Sequence, residues 1–429
     1  MAGTGQYLSI PPSTSEFIAN YIAHTDTDFI SPSGLCTGGS PGCALVAVYT
    51  PEQLGPLTGF GSLTLDESVA VGQANLDKCI RGIACTATLP PYTTTRQTAL
   101  TDTSLLVFGE SQSAAVATDE KAYLIAHPVT GKSVSFELVS NPNRPNGGML
   151  ERFVGIHVPI IGMTFDGATQ TNSPQPTPLT TIDIARQYDV FVDFPNNPLN
   201  VLADLNAILG GVYYHGGYRA IDAPPLLQGY FQDTTYYLEP SSRLPLLEPL
   251  ALIPIIGPPL AAVLDAPLRV LIESAYDRTI NPGQPTPAQY LYFPNPIKTL
   301  IDFAIAIPTG WDDAIALVTG DPSNRPFHTS PQPVYGVGGP PVYAGAIDPY
   351  GPVDPSAGAS LGRRGSASST AVSKPSLAGS SARPARLPRG SLVSRQLKTA
   401  GDSRVVQPRA CAGTCSNRGH GLRNRSTYS

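Results

Sequence analysis

Gly109-Glu110-Ser111-Gln112-Ser113 has the residue types and spacing for nucleophilic chemistry. A serine with a small residue two positions away on each side suits a sharp turn between a strand and a helix. Such a turn lifts the hydroxyl above the sheet, and bulkier flanking side chains would collide with neighbouring backbone. The preceding run, Ser104-Leu105-Leu106-Val107-Phe108, reads as a buried strand, and Ala114-Ala115-Val116-Ala117 suits the first turns of a helix. The pattern alone also fits an ordinary turn; its place between strand and helix favours a nucleophile elbow. Hydrolase elbows usually carry Gly at the second small position, where this chain has Ser113.

A serine hydroxyl needs a base to take its proton, and the base needs an orienting acid. On α/β-hydrolase sheets these follow in the order Ser, Asp or Glu, His. His24 precedes Ser111, and His127 and His157 fall before the expected acid. His420 lies in a basic tail, and His328 sits where regular patterning fades. His215, in Tyr213-Tyr214-His215-Gly216-Gly217-Tyr218, follows a predicted helix and is the favoured base. The alternative is a loop histidine with no special partner. Asp189, at the end of the segment Thr180 to Tyr188, is the favoured acid, with Asp193 as its rival; Asp183 lies inside the predicted strand. The negative oxygen of a tetrahedral intermediate needs fixed N–H donors. The backbone N–H of Gln112, next after the serine, is one candidate.

These groups need a scaffold. Strands are expected at Ala44–Tyr49, Ser104–Phe108, Ser133–Val139 and Thr180–Ala185. Helices are expected at Phe17–Ile22, Leu65–Arg81, after Ser111, and at Leu199–Leu209. Strands alternating with helices predict a mostly parallel sheet covered on both faces. The apolar stretch Leu244 to Leu264 is interrupted by prolines and by Glu248, which excludes a membrane helix. Two readings apply to it: a cap or acyl-binding wall over Ser111, or a core-packing excursion.

The chain has 429 residues, enough for one large domain or two ordinary ones, and its 45 Pro and 41 Gly imply many turns. From Leu361 to Ser429 there are 13 Lys and Arg against one acid, Asp402; the preceding 360 residues hold 14 basic and 31 acidic residues. The tail is rich in Ser, Arg, Ala and Gly, buries too little to offset chain entropy, and is expected to be disordered. Its only aromatic is Tyr428, so specific nucleic-acid recognition is not expected. The six cysteines form three local pairs: Cys36 with Cys43, Cys79 with Cys85, and Cys411 with Cys415. They suit disulfides in an exported protein, with free buried thiols as the alternative. Cys411, Cys415 and His420 match no strong zinc spacing, so no metal is expected. No signal peptide is visible, since Met1–Tyr7 has neither a basic nor an apolar region.

Several ordered segments resemble the PE-PPE domain of mycobacteria, a serine α/β-hydrolase domain related in architecture to cutinases. They are Val48-Tyr49-Thr50-Pro51-Glu52-Gln53, Leu63 to Val69, the elbow with serine at its last position, Asn141 to Gly148, Gln187-Tyr188-Asp189 continuing to Asp193-Phe194-Pro195, and Leu268 to Leu271 continuing to Ala275-Tyr276-Asp277-Arg278. The resemblance spans roughly Gly3 to Pro322. It implies an α/β-hydrolase fold with a mostly parallel central sheet flanked by helices. It implies a domain over residues 1–322, followed by a Pro/Gly-rich linker over 323–360 and a basic disordered tail over 361–429. It implies a serine esterase or lipase acting on short or medium acyl esters without a cofactor, with acyl transfer to a sugar or lipid hydroxyl as the alternative. A decayed, non-catalytic surface protein is a third expectation. Thr4 or Gly5 becomes the second oxyanion donor, and the cell envelope or the exterior the expected location. The family usually has an apolar strand before the Gly-Thr-Gly-like loop and often a PE or PPE module upstream; here Met1-Ala2 precede that loop.

Overall fold

The protein is described from a computed structural model, which covers residues 1–8, 13–36, 43–174, 177–218, 225–339 and 341–346. Chain contacts separate Met1–Ser366 from Ala367–Ser429. The expected disordered tail, with Cys411, Cys415 and His420, lies outside the described residues.

In chain order the main elements are α1 (Ser15–Thr25), β1 (Ala47–Val48), α2 (Leu65–Arg81), β2 (Cys85–Thr88), β3 (Thr95–Thr98), β4 (Ser104–Glu110) and α3 (Gln112–Ala126). There follow β5 (Ser133–Val139), β6 (Thr181–Arg186), α4 (Val201–Tyr213), β7 (Leu226–Phe231), β8 (Thr234–Glu239), α5 (Gly257–Glu273) and α6 (Pro296–Thr319). The central sheet has the order β4-β5-β6-β8-β7. Its first four strands are parallel neighbours, and β7 closes the far edge antiparallel to β8. A three-stranded antiparallel sheet, β1-β2-β3, stands apart. This is a mixed α/β architecture whose mostly parallel sheet is flanked by helices.

Local sequence explains the best-defined helix. Thr64 and Glu67 form a reciprocal capping box at the start of α2, and Gly82 ends it in the left-handed conformation. Its apolar face, with Val69, Leu76 and Ile80, joins α3 and the β5 residues Val134, Phe136 and Leu138 in one core. On the opposite face Phe108, Val139, Ile182, Ile184 and Leu238 meet Phe29, Ile30 and Tyr218. Alternation along the strands thus buries both faces.

Several expectations shift. Of Ala44–Tyr49 only Ala47–Val48 is regular strand, because it pairs with β2 alone. The β7–β8 hairpin and the helix α6 go beyond the elements expected from the sequence. Leu244 and Leu247 are buried in a core with α4 and α5, whereas Leu252, Ile255, Ile256 and Leu260 are exposed. One half of the proline-rich apolar stretch is core packing and the other presents an apolar surface. The described residues of 331–339 and 341–346 form no helix or strand, yet Tyr335 is buried against the sheet. Cys36–Cys43 and Cys79–Cys85 are disulfides.

Candidate active site

Ser111 lies between β4 and α3 with φ 57° and ψ −119°, a conformation that strains a side-chain-bearing residue. The flanking small residues are required. A Cβ on Gly109 would sit 2.5 Å from the Ser113 carbonyl oxygen. The Ser113 hydroxyl accepts the Glu110 N–H at 2.9 Å and donates to the Glu110 carbonyl at 3.0 Å, which ties the turn closed.

The Ser111 Oγ is 2.8 Å from His215 Nε2. His215 Nδ1 is 2.9 Å from Asp189 Oδ2. The expected serine, base and acid therefore form one chain of contacts across segments far apart in sequence. His215 opens a short 3₁₀ turn right after α4. Its side chain is 20% exposed, whereas that of Asp189 is fully buried. Asp189 also accepts from the Tyr218 hydroxyl at 2.8 Å, the Ser140 hydroxyl at 3.0 Å and the Phe191 N–H at 3.1 Å. The Phe191 ring packs on the imidazole, with centroids 4.4 Å apart.

Burial alone would push the Asp189 carboxyl up, but the His215 charge and the surrounding donors outweigh it and hold it below the usual range. Burial alone would push His215 down; the Asp189 carboxylate outweighs that, with help from Glu110, and raises it above the ordinary histidine value.

Asp193 is held elsewhere. Arg278 donates to its two oxygens at 2.7 and 3.1 Å, and the Tyr188 N–H donates to it at 2.9 Å. Arg278 also pairs with Glu273, whose Oε1 accepts from Gln187 and the Tyr188 hydroxyl. This buried cluster fixes the loop that carries Asp189. Asp183 is buried against Arg144 and Asn141. His127 and His157 bond to Tyr123 and Thr164, away from Ser111. His24 is exposed on α1, and His328 is exposed with φ 57°.

Gln112 opens α3, where first-turn N–H groups have no acceptor within the helix. Its side chain donates to Thr4 Oγ1 at 3.2 Å and to the Gln53 carbonyl at 2.7 Å. This brings the Thr4 loop to the elbow, and a Cβ on Gly3 would lie 3.2 Å from Ser111 Cβ. Gly5 departs from its expected part, because its N–H donates to the Glu52 carbonyl at 2.8 Å. Thr4 remains as the second donor candidate. Glu52 is fully buried, and its Oε2 accepts the Leu8 N–H at 3.0 Å. Burial pushes its carboxyl up to about 7, against the lowering effect of the Leu8 N–H.

The residue pattern alone assigns no part to Ser140, Tyr218, Glu52 or Gln53. Three of them lie in or beside segments that carry the family resemblance, and that proximity is the only sequence signal for them. Among the described residues no group of three or more His, Cys, Asp or Glu side chains has the geometry to hold a metal ion.

The PE-PPE domain family matches residues 41–277. The uncharacterized PPE family protein PPE42 of Mycobacterium tuberculosis (strain CDC 1551 / Oshkosh) is 39% identical over 298 residues, 67% of this chain and 45% of that protein. Esterase PE16 of the H37Rv strain is 39% identical over 280 residues, 63% of this chain and 48% of that one. The SL1278 acyltransferase Chp1 of the same strain is 33% identical over 251 residues, 56% of this chain and 55% of that one. The chain spans about half the length of these curated relatives. No solved structure matches it significantly. The family match covers more than half of the sequence and contains Ser111, Asp189 and His215: the chain belongs to the PE-PPE domain family.

Proposed function

We propose that this chain is a serine ester hydrolase of the lipolytic kind, built on an α/β-hydrolase fold. The observation that carries the reading is the continuous contact from a positive-φ Ser111 through His215 to buried Asp189. His215 Nε2 takes the Ser111 proton as Oγ attacks the ester carbonyl carbon, and Asp189 stabilises the imidazolium that forms. The Gln112 and Thr4 N–H groups stabilise the carbonyl oxygen as it gains charge. The intermediate collapses by breaking the bond to the alkoxy oxygen, which leaves as an alcohol with the proton from His215. Water, deprotonated by His215, then attacks the acyl-enzyme, and the acid departs as Ser111 recovers its proton.

Exposed apolar side chains on the domain support an ester with a lipid-like acyl part. Val201, Leu205, Ile208 and Val212 are exposed on one face of α4, which runs toward His215. Ile255, Ile256 and Leu260 add to the exposed apolar surface of the domain. The two disulfides support an oxidising compartment, hence the cell envelope or the exterior. No helix among the described residues is long and apolar enough to cross a membrane.

The test is hydrolysis of p-nitrophenyl esters across acyl lengths, comparing the chain with Ser111→Ala. The expected outcome is activity lost in the variant, with labelling of the unmodified chain by a serine-reactive phosphonate. Equal rates in both would remove Ser111 from the chemistry. Acyl transfer is the second reading, favoured by the likeness to the acyltransferase Chp1; a sugar or lipid hydroxyl would then replace water. Analysis of products formed from an ester in the presence of a sugar acceptor separates the two.

A further inference from the structure

His215 stands on a turn with little of its own to hold it. The 3₁₀ turn His215–Gly217 comes just after α4, and two of its three residues are glycine. Gly216 is exposed, and a Cβ there would meet nothing within 4 Å. Glycine brings backbone freedom and no side chain to pack. His215 Nε2 nevertheless lies 2.8 Å from Ser111 Oγ, and its Nδ1 lies 2.9 Å from Asp189 Oδ2. The turn is held at its flanks, where Tyr214 and Tyr218 are buried.

Arg186 reaches both flanks. It is the last residue of β6, on the strand end that leads to Asp189. Its Nη1 donates to the Gly217 carbonyl at 3.0 Å. Its guanidinium lies over the Tyr214 ring, 4.4 Å from the centroid, in a cation–π contact. The Tyr214 hydroxyl bonds Glu248 and the Arg243 carbonyl, which fixes that ring in turn. The Arg186 backbone N–H donates to the Tyr218 hydroxyl at 2.9 Å, and that hydroxyl donates to Asp189 Oδ2 at 2.8 Å. One residue thus engages the position before His215 and the second and third positions after it.

The guanidinium is not committed elsewhere. Arg144, Arg269 and Arg278 pair with buried carboxylates, whereas Arg186 forms no such pair among the described residues. Glu239, its partner in register on β8, has neither carboxyl oxygen in a hydrogen bond. Burial pushes that carboxyl up to about 8, against the lowering effect of Arg186, so it is mostly uncharged near neutral pH. Stacking on a ring while donating in the plane to a carbonyl is what a guanidinium does and an ammonium does not.

We propose that Arg186 is a positioning residue for His215: it ties the turn that carries the base to the end of the strand that presents the acid. This rests on His215 and Asp189 acting as base and acid, as proposed above. Without the guanidinium, the glycine-rich turn samples positions in which Nε2 moves off Ser111 and Nδ1 off Asp189. A misplacement of about 1 Å at reacting groups costs about 10²-fold in rate.

The test compares Arg186→Ala and Arg186→Lys with the unmodified chain. Ester hydrolysis gives kcat and KM per Ser111 titrated with the phosphonate. In protein labelled at histidine nitrogen, the His215 Nδ1 proton bonded to Asp189 gives a downfield resonance, assigned by its loss in His215→Gln. Arg186→Ala is expected to lower kcat about 10- to 100-fold with KM nearly unchanged, and to weaken that resonance. Arg186→Lys should recover only part of the loss. Dilute guanidinium chloride should raise the rate of Arg186→Ala, and equimolar sodium chloride should not. Unchanged kcat and resonance in Arg186→Ala would overturn the proposal. So would a lower melting temperature with both readouts unchanged per titrated site, which would make Arg186 a packing residue alone. If Arg186→Ala does not fold, Arg186→Lys decides: lowered kcat and a weakened resonance uphold the proposal, and unchanged values overturn it. If the unmodified chain hydrolyses no ester, the reading of the site as an esterase fails separately. The His215 resonance then decides alone, its loss in the variants upholding the part of Arg186 and its persistence overturning it.

Discussion

The Ser140 hydroxyl lies 3.0 Å from both Asp189 Oδ2 and His215 Nδ1, so one buried side chain touches both the proposed acid and the proposed base. Ser140 directly follows β5 with φ 53° and is fully buried, which fixes the hydroxyl at that point. In the proposed mechanism it acts through Asp189 and His215, as a positioning residue. Ser140→Ala is expected to lower kcat about ten-fold, since a hydrogen bond to a charged group contributes about 1.5–3 kcal/mol. KM should stay unchanged, because the hydroxyl faces the imidazole from behind. An unchanged kcat would show that Tyr218 and Phe191 hold Asp189 without it.

Asp189 and Asp193 should separate cleanly on substitution. Asp189→Asn is expected to cut kcat about 10⁴-fold with little effect on folding, because the imidazole loses its orienting charge. Asp193→Asn leaves Arg278 short of a carboxylate and should cost about 3 kcal/mol of stability while the folded fraction keeps its kcat. Steady-state kinetics alongside urea unfolding of both variants checks this; the reverse pattern would exchange their roles.

The pH profile follows from His215. The base must be neutral to accept the Ser111 proton, so kcat/KM falls as pH drops through its pKa. Asp189 raises that pKa above the ordinary 6.5, so the acid limb should have its midpoint above 6.5. Asp189→Asn removes the raising charge and should move the limb of the residual activity downward. A wild-type midpoint below 6.5 would contradict the geometry.

Thr4 and Gly5 differ in the work left to them. Thr4→Val removes a hydroxyl that accepts from Gln112 Nε2 and could donate to the oxyanion. A loss of about ten-fold in kcat is expected, less than the 10²–10³ for a whole oxyanion donor, because the Thr4 N–H remains. Gly5→Ala meets no neighbouring atom but sits at φ 74°, and should cost about 1 kcal/mol of stability. Chemical unfolding and kcat measured on both variants test the distinction.

Glu52 gives a stability signature. Its folded pKa is raised from 4.5 to about 7, so the folded state holds a proton that the unfolded chain releases near pH 4.5. Its contribution is fully present below about pH 4.5 and is lost as pH rises through about 7. Glu52→Gln should remove that dependence. The wild type would then lose up to roughly 3 kcal/mol relative to the variant between pH 4 and 8. Parallel unfolding curves across this range would show that Glu52 does not titrate as its burial requires.

The sequence by itself determined the elbow and the regular elements that depend on near neighbours. Gly109 and Ser113 are legible because the steric demand of the turn acts within two residues of Ser111. The span Leu65–Arg81 is legible because its cap, its charges and its terminal glycine are all local. Strand β5 matches its apolar run residue for residue. The hairpin of β7 and β8 is less legible, because Gly229 and the irregular register at Tyr236 and Tyr237 break the alternation of β-strands. The choice between Asp189 and Asp193 could not be local, since both follow β6 within a few residues. Tertiary structure separates them: it brings Arg278, 85 residues away, onto Asp193 and His215 onto Asp189, and the proposed acid rests on that contact. The same holds for Ser140, Glu52 and the engaged N–H of Gly5. Their parts depend on which distant groups fold against them, and spacing along one chain does not encode those partners.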